Sequence, residues 1–244
     1  MIKGILFDYG GTIDTNGFHW AEVIWEHYQK YRLPVSRELF LDAYRFGERA
    51  LAVNNVVKPD YGFQEVMTLK IRYQFEWLQH NGTRLAAAHI DSIAEDCTYF
   101  AEYAIQQATP VLEALAGQLP MAIVSNFYGN IATVLRDFGI FGFFQSVIES
   151  AVVGVRKPDP QIYRLGVAAL GLSPGECVVV GDSFSKDIVP AAIVGCHTIW
   201  LKGEAFSGDS APAQPHQPDL IIYDLLDLKP AISDLDKVLN LASQ

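Results

Sequence analysis

The chain is poor in cysteine, in positive charge and in long apolar runs. Its three cysteines, Cys97, Cys177 and Cys196, lie far apart and in no metal-ligand spacing, so they read as reduced core residues of a cytoplasmic protein. With 18 Lys and Arg against 28 Asp and Glu, the formal charge is −10. That balance argues against nucleic acid or an anionic membrane as a partner, and requires any site for an anionic substrate to be made positive locally. No apolar run approaches the roughly 18 residues of a membrane helix. The N-terminus has no basic segment followed by a long apolar stretch, because Asp8 interrupts it at once. There is no internal repeat. What the chain does have is core material: half of its 244 residues are hydrophobic, enough for one large domain or a domain carrying an insertion.

The stretch from Lys3 to Thr15 starts as an apolar run with the look of a buried strand. It breaks into Gly10-Gly11 directly after Asp8. Helical periodicity follows. Trp20, Val23, Ile24, His27, Tyr28 and Tyr31 fall on one face, and Pro34 stops the pattern. Ser36 is placed as N-cap of a second helix burying Leu39, Ala43, Phe46 and Ala50. A third carries Val66, Leu69, Tyr73 and Trp77, and after Asn81-Gly82 a fourth carries Ile90, Ile93, Cys97, Ala101 and Ala104. These spacings predict an aromatic-rich four-helix unit inserted after the first strand, with boundaries at 16–104.

From Thr109-Pro110, read as a fresh helix start, strands and helices alternate. Strands are expected near residues 120–126, 143–149, 177–181 and 196–201, with a small one at 220–223 before a C-terminal helix. Residues 203–218, rich in Gly, Ser and Pro, read as an exposed loop, and Ser173-Pro174-Gly175-Glu176 as a one-turn capping box. The alternation predicts an α/β fold: a Rossmann-like parallel sheet with helices on both faces, built from 1–15 and 105–244.

Four polar clusters fall at the predicted strand ends: Asp8; Ser125-Asn126; Lys157 before Pro158; and Asp182 with Asp187. Alone, each is an ordinary turn, cap or surface charge. In this order, each after a strand, they resemble the haloacid dehalogenase superfamily, most of whose members are magnesium-dependent phosphatases, and the inserted helices resemble its helical cap. The resemblance implies Asp8 as the nucleophile forming an aspartyl-phosphate on a small phosphorylated metabolite. It also implies Lys157 as a neutralising cation, with Ser125 and the Asn126 amide holding phosphoryl oxygens. Magnesium would be held by Asp8, the Gly10 carbonyl and Asp182, while Asp187 would hold metal-bound water or orient Lys157.

One position departs from the family pattern. The acid/base Asp expected two residues after the nucleophile is Gly10. The sequence leaves three outcomes open: an acid from elsewhere (Asp14, His19 or Glu48), a preference for good leaving groups, or a weakened protein that binds a phosphorylated ligand. Two subfamilies lack that Asp. Dehalogenases work without metal, against which Asp182 and Asp187 count. Phosphonatase-like C–P hydrolases use a cap lysine, for which Lys30, Lys58 and Lys70 are available and Lys58 is preferred. Asn16, His19 and Trp20, close to the nucleophile in sequence, and the cap cations Arg45 and Arg49 are candidates for reading the substrate. The oligomeric state, monomer or dimer, is left open.

Overall fold

The computed structural model describes residues 1–203 and 217–242; residues 204–216 of the expected 203–218 loop lie outside the described residues. Strands β1 (Gly4–Phe7), β2 (Met121–Ser125), β3 (Ser146–Glu149), β4 (Cys177–Gly181), β5 (His197–Leu201) and β6 (Leu220–Ile222) form one parallel sheet in the order β3-β2-β1-β4-β5-β6. Successive strand residues go to opposite faces, and both faces are covered. Ile5, Phe7, Ile123, Val178 and Val180 join one core cluster, and Leu6, Ala122, Val124, Cys177 and Val179 the other. This is why these strands read as unbroken apolar runs.

Helices α1 (Trp20–Lys30), α2 (Arg37–Val53), α3 (Phe63–His80) and α4 (Ala88–Ala116) stand between β1 and β2. The remaining helices are α5 (Ile131–Asp137), α6 (Ser150–Val153), α7 (Gln161–Ala169), α8 (Val189–Val194) and α9 (Leu228–Ala242). Ser36 caps α2 as expected, its hydroxyl accepting from Leu39 N at 3.3 Å. The capping box at Ser173–Glu176 also forms.

Two expectations in the helical region fail. Thr109-Pro110 does not start a helix; α4 runs through it. Proline removes one helical N–H, but Ile105, Ala108, Val111, Leu112 and Leu115 are all buried, so packing carries the helix across. Thr109 Oγ1 turns back onto the Ile105 carbonyl at 2.8 Å. The buried stripes of α2 and α3 keep Ala43, Ala50 and Val66 as expected but are otherwise rotated from the residues read in the sequence. Phe40 is fully buried whereas Phe46 is 42% exposed. On α3, Phe63, Met67, Lys70, Ile71, Gln74 and Phe75 face inward, and Leu69, Tyr73 and Trp77 are half-buried. The cause is a close crossing of the two helices: a Cβ on Gly47 would stand 3.1 Å from the Lys70 carbonyl, so the glycine face of α2 must meet α3.

Candidate active site

The sheet brings distant residues together at one edge. Phe7 is in register with Ile123 and Val180, so the next residue, Asp8, leaves β1 between the ends of β2 and β4. The strand order reverses direction at β1/β4, the place where open α/β sheets hold ligands. Gly11 makes the turn. Its φ is +93°, and a Cβ there would lie 2.5 Å from Asp182 Oδ2, so conformation and space both demand glycine.

Lys157, in the loop between α6 and α7, is buried between two carboxylates. Its Nζ donates to Asp8 Oδ1 at 2.6 Å and to Asp187 Oδ1 at 2.7 Å. The Asn126 side chain fixes the Lys157 backbone from both sides, accepting from its N at 2.9 Å and donating to its carbonyl at 3.1 Å. Asp187 is engaged on both oxygens: Oδ1 also accepts from Tyr163 OH at 2.8 Å, and Oδ2 from Ser183 N at 3.0 Å. Thr12 Oγ1 donates to Asp182 Oδ1 and accepts from Asp182 N, each at 3.0 Å. Trp200 Nε1 donates to the Asp182 carbonyl at 2.7 Å.

Electrostatically the edge is short of positive charge. Burial and the neighbouring acids raise the Asp182 carboxyl well above the usual range. Burial raises Asp8 as well, Lys157 working against it. For Lys157, burial opposes the charge, but Asp187 and Asp8 outweigh it and hold the ammonium above its ordinary pKa. Asp8, Asp182 and Asp187 each place a carboxylate oxygen within 4.8 Å of the others. Among the buried groups three carboxylates face one ammonium, while Arg156 and Lys186 line the adjoining cavity from exposed positions, and an all-oxygen donor set suits a hard divalent cation such as magnesium.

A cavity of about 300 Å³ opens between this edge and α1–α3. Asp8, Gly10, Ser125, Asn126, Lys157 and Asp182 line the sheet side. His19, Trp20, Tyr44, Glu48, Met67 and Lys70 line the helical side. Lys70 is buried and pairs with Glu48 at 2.6 Å; burial opposes its charge, but Glu48 holds its pKa well above the ordinary value. Tyr128 OH donates to the other Glu48 oxygen at 3.0 Å. Asp14, in the turn after β1, lines the cavity beside Asp8 and Gly10, with Oδ1 accepting from Gly11 N at 2.7 Å and Oδ2 from Trp20 Nε1 at 2.9 Å. Burial, with a smaller contribution from Asp8, raises its pKa from 3.8 to about 7.

Several expected substrate readers lie elsewhere. Arg45 is exposed and paired with Asp42 at 2.9 Å, Arg49 is exposed, and neither lines the cavity. Lys58, preferred among the cap lysines, is exposed with its ammonium over the Tyr61 ring; Lys30 is exposed and paired with Asp96. Lys70 is the one of those three lysines that reaches the cavity. Asn16 accepts from Leu225 N at 2.8 Å and does not line the cavity either. Sequence reading missed Thr12 and Tyr163. Thr12 carried a usable signal, since it directly follows the double glycine at the nucleophile turn. Tyr163 carried none.

Fold and site together are those of an α/β protein whose nucleophile candidate is a carboxylate at a strand end. The sequence profile of the haloacid dehalogenase-like hydrolases matches residues 2–195, and the chain belongs to that family. It is 33% identical over 115 residues to the phosphoserine phosphatase of Thermus thermophilus, covering 46% of this chain and 44% of that protein. To the phosphoglycolate phosphatase of Yersinia pseudotuberculosis it is 33% identical over 128 residues, covering 52% and 54%. The chain thus spans about half the length of the curated relatives it matches. A magnesium-bound HAD-hydrolase from Bacillus subtilis shares the fold, with a TM-score of 0.58 and 21% identity over 94% of this chain and 98% of that one.

Proposed function

We propose that the protein hydrolyses a small phosphorylated metabolite through an aspartyl-phosphate on Asp8, with magnesium as cofactor. The observation that supports this most is the Lys157 ammonium 2.6 Å from Asp8, beside two further acids at the cavity between the sheet edge and the helices. In this reading Asp8 attacks phosphorus, the ester P–O bond breaks, and water then releases phosphate from Asp8. Lys157 offsets the repulsion between carboxylate and phosphate, and Asp187 and Asn126 keep its ammonium in place. Ser125 and the Asn126 amide bind the phosphoryl oxygens. Magnesium would be held by Asp8, the Gly10 carbonyl and Asp182; when bound it supplies the positive charge that the carboxylates lack. With both oxygens engaged, Asp187 serves mainly to orient Lys157.

Helices α1 to α4 up to residue 104 act as the cap, with His19 and Trp20 on the substrate side, and the core is formed by 1–15 and 105–244. The C–P hydrolase alternative has less support. Its imine chemistry needs a neutral lysine, whereas Lys70 is held charged by Glu48. Relatives named for phosphoserine and phosphoglycolate make a small phosphorylated acid a sensible first substrate class. The buried, free cysteines agree with a reducing, cytoplasmic setting. Among the described residues no helix is long and apolar enough to cross a membrane.

The test is a panel of metabolite phosphates assayed with wild type and Asp8→Asn in magnesium. Turnover of at least one ester, lost in Asp8→Asn and on chelation, is expected. No ester or acyl phosphate turned over by wild type would instead favour a phosphate-binding protein.

A further inference from the structure

Gly10 leaves the expected acid/base position without a side chain, yet the space is not empty of carboxylate. A Cβ built on Gly10 meets Asp14 Oδ2 at 4.0 Å and nothing nearer. Asp14 is 1% exposed, and what it exposes belongs to the wall shared with Asp8 and Gly10. Two donors from different elements fix it: the Gly11 amide of the nucleophile turn and the Trp20 indole at the start of α1. Among the described residues no lysine or arginine pairs with it. The other two candidates are otherwise committed. Glu48 is tied to Lys70 and Tyr128, and His19 Nδ1 caps α1 by accepting from Ala21 N.

We propose that Asp14, reaching in from four residues further along the turn, does the proton transfer that a side chain at position 10 would otherwise do. The inference rests on the phosphatase reading. In the first displacement an Asp8 oxygen bonds to phosphorus, the ester P–O bond breaks, and the leaving oxygen takes the proton of the Asp14 carboxyl. In the second, water bonds to phosphorus, its proton passes to Asp14, and the P–O bond to Asp8 breaks. Both carboxyls end as they began. Gly10 is then a vacated position rather than a lost function, and the Trp20 indole is a positioning group for the acid.

The experiment uses phenyl phosphate, p-nitrophenyl phosphate and acetyl phosphate with the full chain in magnesium. Wild type must first form phospho-Asp8 from acetyl phosphate, detected by mass spectrometry after acid quench. If it does not, the phosphatase reading fails, and this proposal with it. If it does, Asp14→Asn is expected to lower phenyl phosphate turnover by about 10²-fold or more, the usual size of acid–base assistance. The loss should be smaller for the better leaving group p-nitrophenolate. Phospho-Asp8 formed from acetyl phosphate should accumulate, because its hydrolysis lacks a base.

Adding Gly10→Asp to Asp14→Asn should recover phenyl phosphate turnover, which a merely structural role for Asp14 would not allow. Equal losses for both aryl esters, or wild-type formation and decay of phospho-Asp8 in Asp14→Asn, would overturn the proposal and leave the phosphatase reading standing. Should Asp14→Asn not fold, wild type decides alone: a shallow dependence on leaving-group basicity supports the acid, and a steep one refutes it.

Discussion

The sheet edge and the helical side of the cavity are built on opposite principles. At the edge, position follows from strand register: Asp8, Ser125 and Asp182 sit at or next to the ends of β1, β2 and β4, and the parallel sheet carries all three to one side. On the helical side, position follows from rotation. An α-helix turns about 100° per residue, so small differences in rotation matter: on α2 Phe40 is fully buried while Phe46 is exposed. The charges differ too. The edge holds acids that outnumber their buried lysine, whereas the helical side of the cavity holds the matched pair of Lys70 with Glu48. In the phosphatase reading proposed above, phosphoryl binding and chemistry would fall to the edge, and the helical side would contribute shape and a charge-matched polar wall.

The largest effect should come from breaking the edge at its nucleophile. Asp8→Asn is expected to abolish turnover with the thermal transition retained; residual activity near wild type would remove Asp8 from the chemistry. Next, Lys157→Met strands two buried carboxylates and is expected to cost about 3–5 kcal/mol in urea unfolding. A change below about 1 kcal/mol would mean that the pair to Asp8 and Asp187 is not formed in solution. On the helical side the two phenylalanines of α2 sharpen the contrast. Phe40→Ala should cost about 3–5 kcal/mol, and Phe46→Ala within about 0.5 kcal/mol. Equal costs would return α2 to the rotation that periodicity alone suggested.

A smaller effect separates the two sides by charge. Glu48→Gln frees the Lys70 cation, so KM for a phosphorylated substrate should fall several-fold with kcat changed less. A raised KM would mean that Glu48 itself contacts substrate. The smallest concerns pH. Asp14 is raised from 3.8 to about 7 by burial, so between those values the folded chain binds more protons than the unfolded one. Stability from this group is therefore lost as pH rises from about 4 to about 7. Without divalent metal, Asp14→Asn should raise Tm relative to wild type at pH above about 7 and not near 4; an equal shift at both would contradict that assignment.

How much of this was legible in the sequence divides along the same line. The order of elements, the caps at Ser36 and Ser173, and the gathering of Asp8, Lys157, Asp182 and Asp187 follow from local patterns whose outcome a parallel sheet fixes. The continuity of α4 through Pro110 did not, because buried contacts on both sides of the proline outweigh a missing hydrogen bond. Nor did the exposure of Arg45 and Arg49 and the burial of Lys70, since the glycine crossing at Gly47 that sets α2 against α3 is a tertiary fact, nor the packing of the loop residue Lys58 over Tyr61. Asp14 was nameable as one acid among three, but its two donors and its distance from Gly10 appear only in the folded turn.

The central claim is that Asp8 becomes covalently phosphorylated at this sheet edge. Wild type, incubated with acetyl phosphate and magnesium, quenched in acid and mapped by mass spectrometry, should carry one phosphoryl group on the peptide containing Asp8. Asp8→Asn should carry none. An unmodified Asp8, or a phosphoryl group borne on another residue and retained in Asp8→Asn, would contradict the account.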